Sequence, residues 1–250
     1  MRYIGIILSL LLIPLFSFSP PTQSIQYVWA HSGLSIRSAP NKNAKRIGVA
    51  NYGDAITVQT NGQSPTSMTI EEFQGFFIES QWVKVYWRGQ AGYMFGGYLG
   101  QWKPIVKCVS EKACQNTQSL ENYFKDTFSL KYEDHVTHTP DSPIDYEVKE
   151  SLWVYDNGIE VRHTSPWEIG NSRSDIKIPK SVMSREEVYL LLYTAVRNSQ
   201  LWEGGKRPAV GQEMQKEGTF SITADTMSSL YATVKTTHTH YIISGIYVSC

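Results

Sequence analysis

Short runs in which apolar and polar residues alternate recur along most of the chain, the period-two pattern of strands with one buried face. Tyr27 to Ala30 is the first. In the run that follows, Leu34 and Ile36 share one face while Ser35 and Arg37 share the other. Arg46 to Val49, Ala55 to Thr60, Trp82 to Tyr86 and Ala91 to Phe95 continue the series. Polar turn residues separate them: Asn41 to Lys45, Asn51 to Asp54, and Arg88-Gly89. Short strands at this spacing predict a small β-barrel over residues 26–101.

Beyond a connector (102–119), residues 120–250 predict an α+β domain. Leu120 to Tyr132 fits a short helix or a strand, and Glu133 to Ser142 reads as polar and turn-rich. Ser151 to Tyr155 and Ile159 to His163 flank Asp156-Asn157-Gly158, an Asn-Gly hairpin signal that calls for positive φ at both turn positions. Asp175 to Ile178 is a further short strand. Ser184-Arg185-Glu186-Glu187 has the form of a capping box, followed by Val188, Leu191, Leu192, Ala195 and Val196 at helical spacing. Leu190 and Tyr193 widen that face, so the helix is expected to be well buried against a sheet. Gln200 to Glu217 reads as a loop, and Gly218 to Ala224, Ser229 to Thr237 and Tyr241 to Val248 as antiparallel strands. The predicted fold class is mainly β: a small barrel, then an antiparallel sheet packed on one main helix.

The first residues alter the picture of where the chain works. Arg2 precedes an apolar run from Ile4 to Phe16, shorter than the roughly 20 residues a spanning helix needs. Residues 1–24 therefore read as an export signal, with an uncleaved anchor as the alternative, and the chain is expected to be periplasmic or secreted. No later segment is apolar enough to span a membrane. Lys plus Arg and Asp plus Glu each number 23, so the net charge is zero and nothing draws the chain to nucleic acid. Cys108, Cys114 and Cys250 are the three cysteines; in an oxidising compartment any two can pair, and sequence leaves the pairing open.

The segment Gly33-Leu34-Ser35-Ile36-Arg37-Ser38-Ala39-Pro40 resembles the hallmark of the bacterial SH3 domain family. Ile47-Gly48, then Gly53 to Val58, then Trp82, Lys84, Val85, Gly89, Gly92, Tyr93, Tyr98 and Leu99 follow in the family's order. The resemblance implies an SH3-like barrel that binds peptidoglycan or a protein or peptide partner of the cell envelope. On that reading Tyr27, Trp29, Tyr86, Trp87 and Tyr98 are the candidate ligand-binding residues. Tyr86 and Trp87 are adjacent in a strand and must face opposite ways. Trp82 is read as core and Arg37 as a structural hydrogen-bonding residue. The departure from the family is an insertion, Asn61 to Ser80, whose Phe73, Phe76, Phe77 and Ile78 are too apolar for a solvated loop. It is expected either to cover the barrel or form an extended hairpin, or else to present a binding surface.

A search for chemistry assigns no catalytic residue, metal or cofactor. His238 and His240 lie two apart, with His135, His138 and His163 elsewhere, but no zinc-binding spacing accompanies them. None of the cysteines opens an apolar helix as a peptidase nucleophile would, and no G-x-S-x-G is present. Glu147, Glu150, Glu160 and Glu168, near Trp153 and Trp167, could serve as a glycosidase pair only at suitable separation; the loop from Trp202 to Pro208 reads as surface. The expected function is an exported envelope-binding protein; the alternatives are a wall-directed hydrolase with an unrecognised catalytic domain, and a scaffold whose barrel is buried against the second domain. Oligomeric state is left open.

Overall fold

The computed structural model describes residues 22–107, 119–139, 147–166, 171–199, 210–214, 219–224 and 231–249. Residues 1–21 of the expected signal, all three cysteines, Glu168 and the Trp202 to Pro208 loop lie outside these. No helix among the described residues is long and apolar enough to cross a membrane.

Two antiparallel sheets carry the fold. The first holds β1 (Gln23–Val28), β2 (Leu34–Arg37), β3 (Arg46–Ala50), β4 (Ala55–Phe73), β5 (Phe76–Trp87), β6 (Gln90–Phe95) and β7 (Leu99–Gly100). Their order is β3-β2-β6-β5-β4-β1-β7, which leaves β3 and β7 as edges. Every strand contributes to one small core that includes Val28, Ile36, Ala50, Ile56, Val85, Met94 and Leu99, so the sheet curls around its own inner face. Leu34 and Ile36 are buried and Ser35 and Arg37 half-buried, as the alternation requires. The bend into β2 needs Gly33: its φ is +84° and a Cβ there would lie 2.8 Å from the Ala50 carbonyl oxygen.

The second sheet runs β12-β13-β14-β15-β11-β10-β9-β8. Its strands are β8 (Leu130–His138), β9 (Val148–Tyr155), β10 (Glu160–Pro166), β11 (Asn171–Pro179), β12 (Val210–Met214), β13 (Phe220–Ala224), β14 (Tyr231–Thr236) and β15 (His240–Ser249). Helix α1 (Leu120–Thr127) precedes β8, and α2 (Arg185–Ser199) follows β11.

Three local expectations are corrected. Glu133 to His138 is strand, not turn: β8 pairs with β9 along its whole length, and its polarity reflects a fully exposed edge. Val210 to Met214, expected as loop, is the other edge strand, too short and mixed to show a clear period. Asn157 does not take positive φ; Gly158 alone does, with Gly158 N–H donating to the Tyr155 carbonyl and Tyr155 N–H to Ile159. This is a three-residue loop closed by a left-handed glycine. The two-residue turn with both positions at positive φ is instead Arg88-Gly89, at 47° and 76°.

The α2 capping box forms as read. Glu187 N–H donates to Ser184 Oγ (3.1 Å), and Ser184 N–H donates to Glu187 Oε2 (2.9 Å). The other carboxylate oxygen accepts from the Gln101 backbone N–H at 3.1 Å, so the cap also ties α2 to the end of the first sheet. Burial raises the Glu187 pKa, against these two backbone hydrogen bonds.

Helix α2 is buried on almost all sides because both sheets cover it. Leu191, Leu192 and Val196 join the second sheet's Ile176, Ile178, Val234 and Ile243 in the larger core. That same cluster takes in Trp29, Phe76, Ile78, Trp82 and Phe95 from the first sheet. The connecting segment is pinned to match: Tyr52 Oη donates to the Ile105 carbonyl at 2.8 Å and Asn198 Nδ2 to the Val106 carbonyl at 2.6 Å. The insertion supplies the largest link. It is an extended hairpin, β4 and β5 running on past the small core to Phe73 and Phe76. Phe76 is fully buried, its ring centroid 5.0 Å from Phe73, 4.6 Å from Tyr189 and 5.1 Å from Phe220.

Candidate functional site

The hairpin and the Gly33 bend line two open cavities that share Gly33, Leu34 and Tyr98 as wall, and α2 lines the second of them. The first has a volume of about 440 Å³. Trp82, Phe95 and Tyr98 form its apolar floor, Met68 to Ile70 on the hairpin one side, and Arg37 and Lys42 a cationic margin. Arg37 is held there because its guanidinium donates to the Ala44 carbonyl at 2.8 Å, across the polar loop that follows β2. Tyr98 lies in a single 3₁₀ turn, Gly96–Tyr98, between β6 and β7. An apolar floor with a few placed polar groups, at this volume, is what small-molecule and peptide sites present.

The second cavity, about 360 Å³, lies where the first sheet meets α2. His31, Glu72, Tyr98, Tyr189, Tyr193 and Gln212 are among its lining. Glu72 comes from the inserted hairpin. Its carboxylate accepts from Tyr98 Oη and, at 3.4 Å, from Tyr189 Oη. Burial first, and the Glu72 carboxylate after it, holds both phenols above their ordinary pKa. The His31 Nε2 and Thr194 Oγ1 atoms are 2.6 Å apart, and the His31 ring meets Tyr193 edge-on at 5.2 Å.

Among the five residues expected to bind ligand, Tyr98 lines both cavities and the other four line neither. Trp29 is fully buried, with its indole N–H donating to the Trp102 carbonyl at 3.0 Å. Tyr27 is half-buried against the larger core. Tyr86 is exposed and Trp87 half-buried, on opposite faces of β5 as their adjacency requires, with the Arg88 guanidinium 4.4 Å from the Trp87 ring. Sequence reading did not single out Lys42, Glu72 or Tyr189. The apolar insertion was the available signal for Glu72, since it places acidic residues on a segment that has to pack.

The second sheet holds polar clusters of another kind. Glu150 pairs with Arg162 at 3.2 Å and Glu160 with Lys177 at 2.8 Å, so each acid faces a cation across a strand ladder. A serine, a histidine and a glutamate do meet: Ser174 Oγ donates to Glu121 Oε1 (2.6 Å), which lies 2.9 Å from His163 Nδ1. Ser174 Oγ is also 2.9 Å from that same nitrogen. A nucleophile relay needs serine and acid on opposite ring nitrogens. Here both contacts fall on one, and Ser174 is buried, so the cluster ties α1 to β10 and β11. The His163 hydrogen bond holds the Glu121 carboxyl below its ordinary pKa, against a desolvation that works the other way. Among the described residues, no three His, Cys, Asp or Glu side chains are grouped to hold a metal ion.

No curated protein and no solved structure matches the chain. The family model described as the bacterial SH3 domain matches residues 32–100, from the Gly33 bend to the end of β7, and no other domain is recognised. The first sheet, from the Gly33 bend through Tyr98 to β7, is therefore a bacterial SH3 domain.

Proposed function

We propose that the chain is an exported cell-envelope protein whose SH3 domain binds peptidoglycan in the groove between the Gly33 bend and the inserted hairpin. Bacterial SH3 domains are often cell-wall-binding modules. The observation that carries the reading here is the groove of about 440 Å³, with Trp82, Phe95 and Tyr98 beneath and Arg37 and Lys42 at its margin. Wall peptides combine apolar side chains with carboxylates, and such a surface meets both. Sedimentation with purified peptidoglycan tests it. The wild-type protein pellets, and Lys42→Glu, which reverses the charge at the exposed margin of the groove, reduces pelleting by about tenfold, or roughly 1.4 kcal/mol. Wild-type protein that stays in the supernatant overturns the reading.

The shared core favours a second reading, in which the SH3 domain acts as a scaffold for the sheet beyond it. On that reading Lys42→Glu has no effect on any interaction of the chain, because the groove is not used.

A further inference from the structure

We infer that the second cavity, between the SH3 domain and α2, is a binding site for a primary ammonium group on a flexible chain. It is a different cavity from the groove, and the inference stands whether or not the groove binds wall.

The charge of the lining carries the argument. Glu72 is half-buried, and among the described residues no Lys, Arg or His nitrogen lies within salt-bridge distance of its carboxylate. Among the described residues, no Lys or Arg lines the cavity. Among the described residues, Arg197 and Lys107 touch lining residues without lining the cavity, Arg197 at the Tyr193 hydroxyl at 3.0 Å and Lys107 at the His31 carbonyl at 2.9 Å. A partly desolvated carboxylate without a counter-cation favours a cationic ligand and repels an anionic one.

The shape and lining identify the kind of cation. Tyr98 and Tyr193 are half-buried in the lining, with the fully buried Tyr189 ring behind them, 5.9 Å from that of Tyr193. Aromatic faces around one carboxylate suit an organic ammonium through cation–π attraction. A metal ion would favour several His, Cys, Asp or Glu side chains together, and the described residues hold no group of three. The tyrosine hydroxyls leave the carboxylate spare acceptor capacity, since an ionised carboxylate offers about four lone-pair sites. The volume of about 360 Å³ accommodates an alkyl chain behind the charged head.

Calorimetric titration tests this with four probes at millimolar concentration: n-butylamine, cadaverine, capped lysine (Nα-acetyl-lysine N-methylamide) and the ε-acetylated form of that capped lysine. The three free amines bind, and ε-acetylation weakens binding by about tenfold or more, because it removes the charge and keeps the chain. Stronger binding of the capped lysine than of cadaverine assigns the site to a peptide amine; the reverse assigns it to a free amine. Glu72→Gln removes the charge, keeps one carbonyl acceptor where the two tyrosine hydroxyls now meet separate oxygens, and abolishes the preference for the free amine. Gln212→Arg, which brings a tethered guanidinium to the lining, blocks binding independently of any change in the hairpin. Amide chemical-shift changes at Gly33, Tyr98 and Tyr193 place the probe. Equal binding of charged and acetylated probes, or shifts confined to other residues, overturns the inference.

Discussion

Replacing Phe76 with alanine tests whether the inserted hairpin joins the two sheets into one folding unit. The ring is fully buried, contacts Phe73, Tyr189 and Phe220 at 4.6–5.1 Å between centroids, and carries the Arg185 guanidinium 4.8 Å above it. Truncating a buried phenylalanine costs about 3–5 kcal/mol through lost transfer energy and the cavity left behind. Three aromatic partners, each worth about 0.5–1.5 kcal/mol beyond area, place this site in the upper part of that range. For a chain of this size the loss corresponds to a fall in Tm of roughly 6–20 °C. Phe77→Ala is the internal control. It is the next residue, points the other way and is 45 % exposed, so its loss stays within about 0.5 kcal/mol. Urea unfolding followed by tryptophan fluorescence and by far-UV circular dichroism measures both variants. Wild-type protein gives coincident transitions, because Trp29 and Trp82 of the first sheet share a core with Trp153 of the second. A Phe76→Ala loss below about 1 kcal/mol, or a wild-type fluorescence transition separate from the dichroism transition, refutes the idea that the hairpin holds the sheets together.

Two further predictions follow from close contacts. Gly92→Ala destabilises by about 1–3 kcal/mol in urea unfolding, since a Cβ would lie 2.5 Å from Ile36 Cγ2 and 2.9 Å from the Arg37 carbonyl oxygen; a neutral result would show that β2 and β6 separate easily. The depressed Glu121 pKa gives a pH dependence whose sign is fixed: its contribution is present in full above the unfolded value of 4.5 and is lost as pH falls through the folded value. Below pH 4.5, therefore, wild-type protein loses more stability than Glu121→Gln does, and parallel pH profiles for the two would remove Glu121 from the acid response.

What could be read from the sequence was local. The capping box at Ser184 closes within four residues, and the Leu34/Ile36 alternation is a property of one strand. Each of these is decided by neighbours in the chain, so residue order is enough to see it. The candidate site was not legible in that way. Trp29, an aromatic residue at the start of a barrel, reads equally as groove or as core; what decides it is a connector carbonyl at Trp102. Phe73 and Phe76 announce that the insertion must pack, but not against what, since Tyr189 belongs to α2 and Phe220 to β13 of the other sheet. Arg185 reaches the Phe77 carbonyl across 108 positions of sequence. Periodicity marks which face of an element is buried and says nothing of which partner buries it.

The same insertion shapes both cavities. Met68, Thr69 and Ile70 wall the groove, and Glu72, two positions further along the hairpin, is the carboxylate of the second cavity. Beyond Glu72 the strand ends at Phe73, whose ring packs on Phe76 and Tyr189 and fixes the hairpin against α2. A bacterial SH3 domain with a short connection at this point would keep Gly33, Arg37, Trp82 and Tyr98 but would lack one wall of each cavity. The motif residues Trp82 and Tyr98 therefore build the floor of the groove, and one wall of each cavity rests on residues that depart from the family. Exchanging the segment from Asn61 to Ser80 for a two-residue turn would accordingly remove both cavities together, along with the Phe76 contact that joins the sheets.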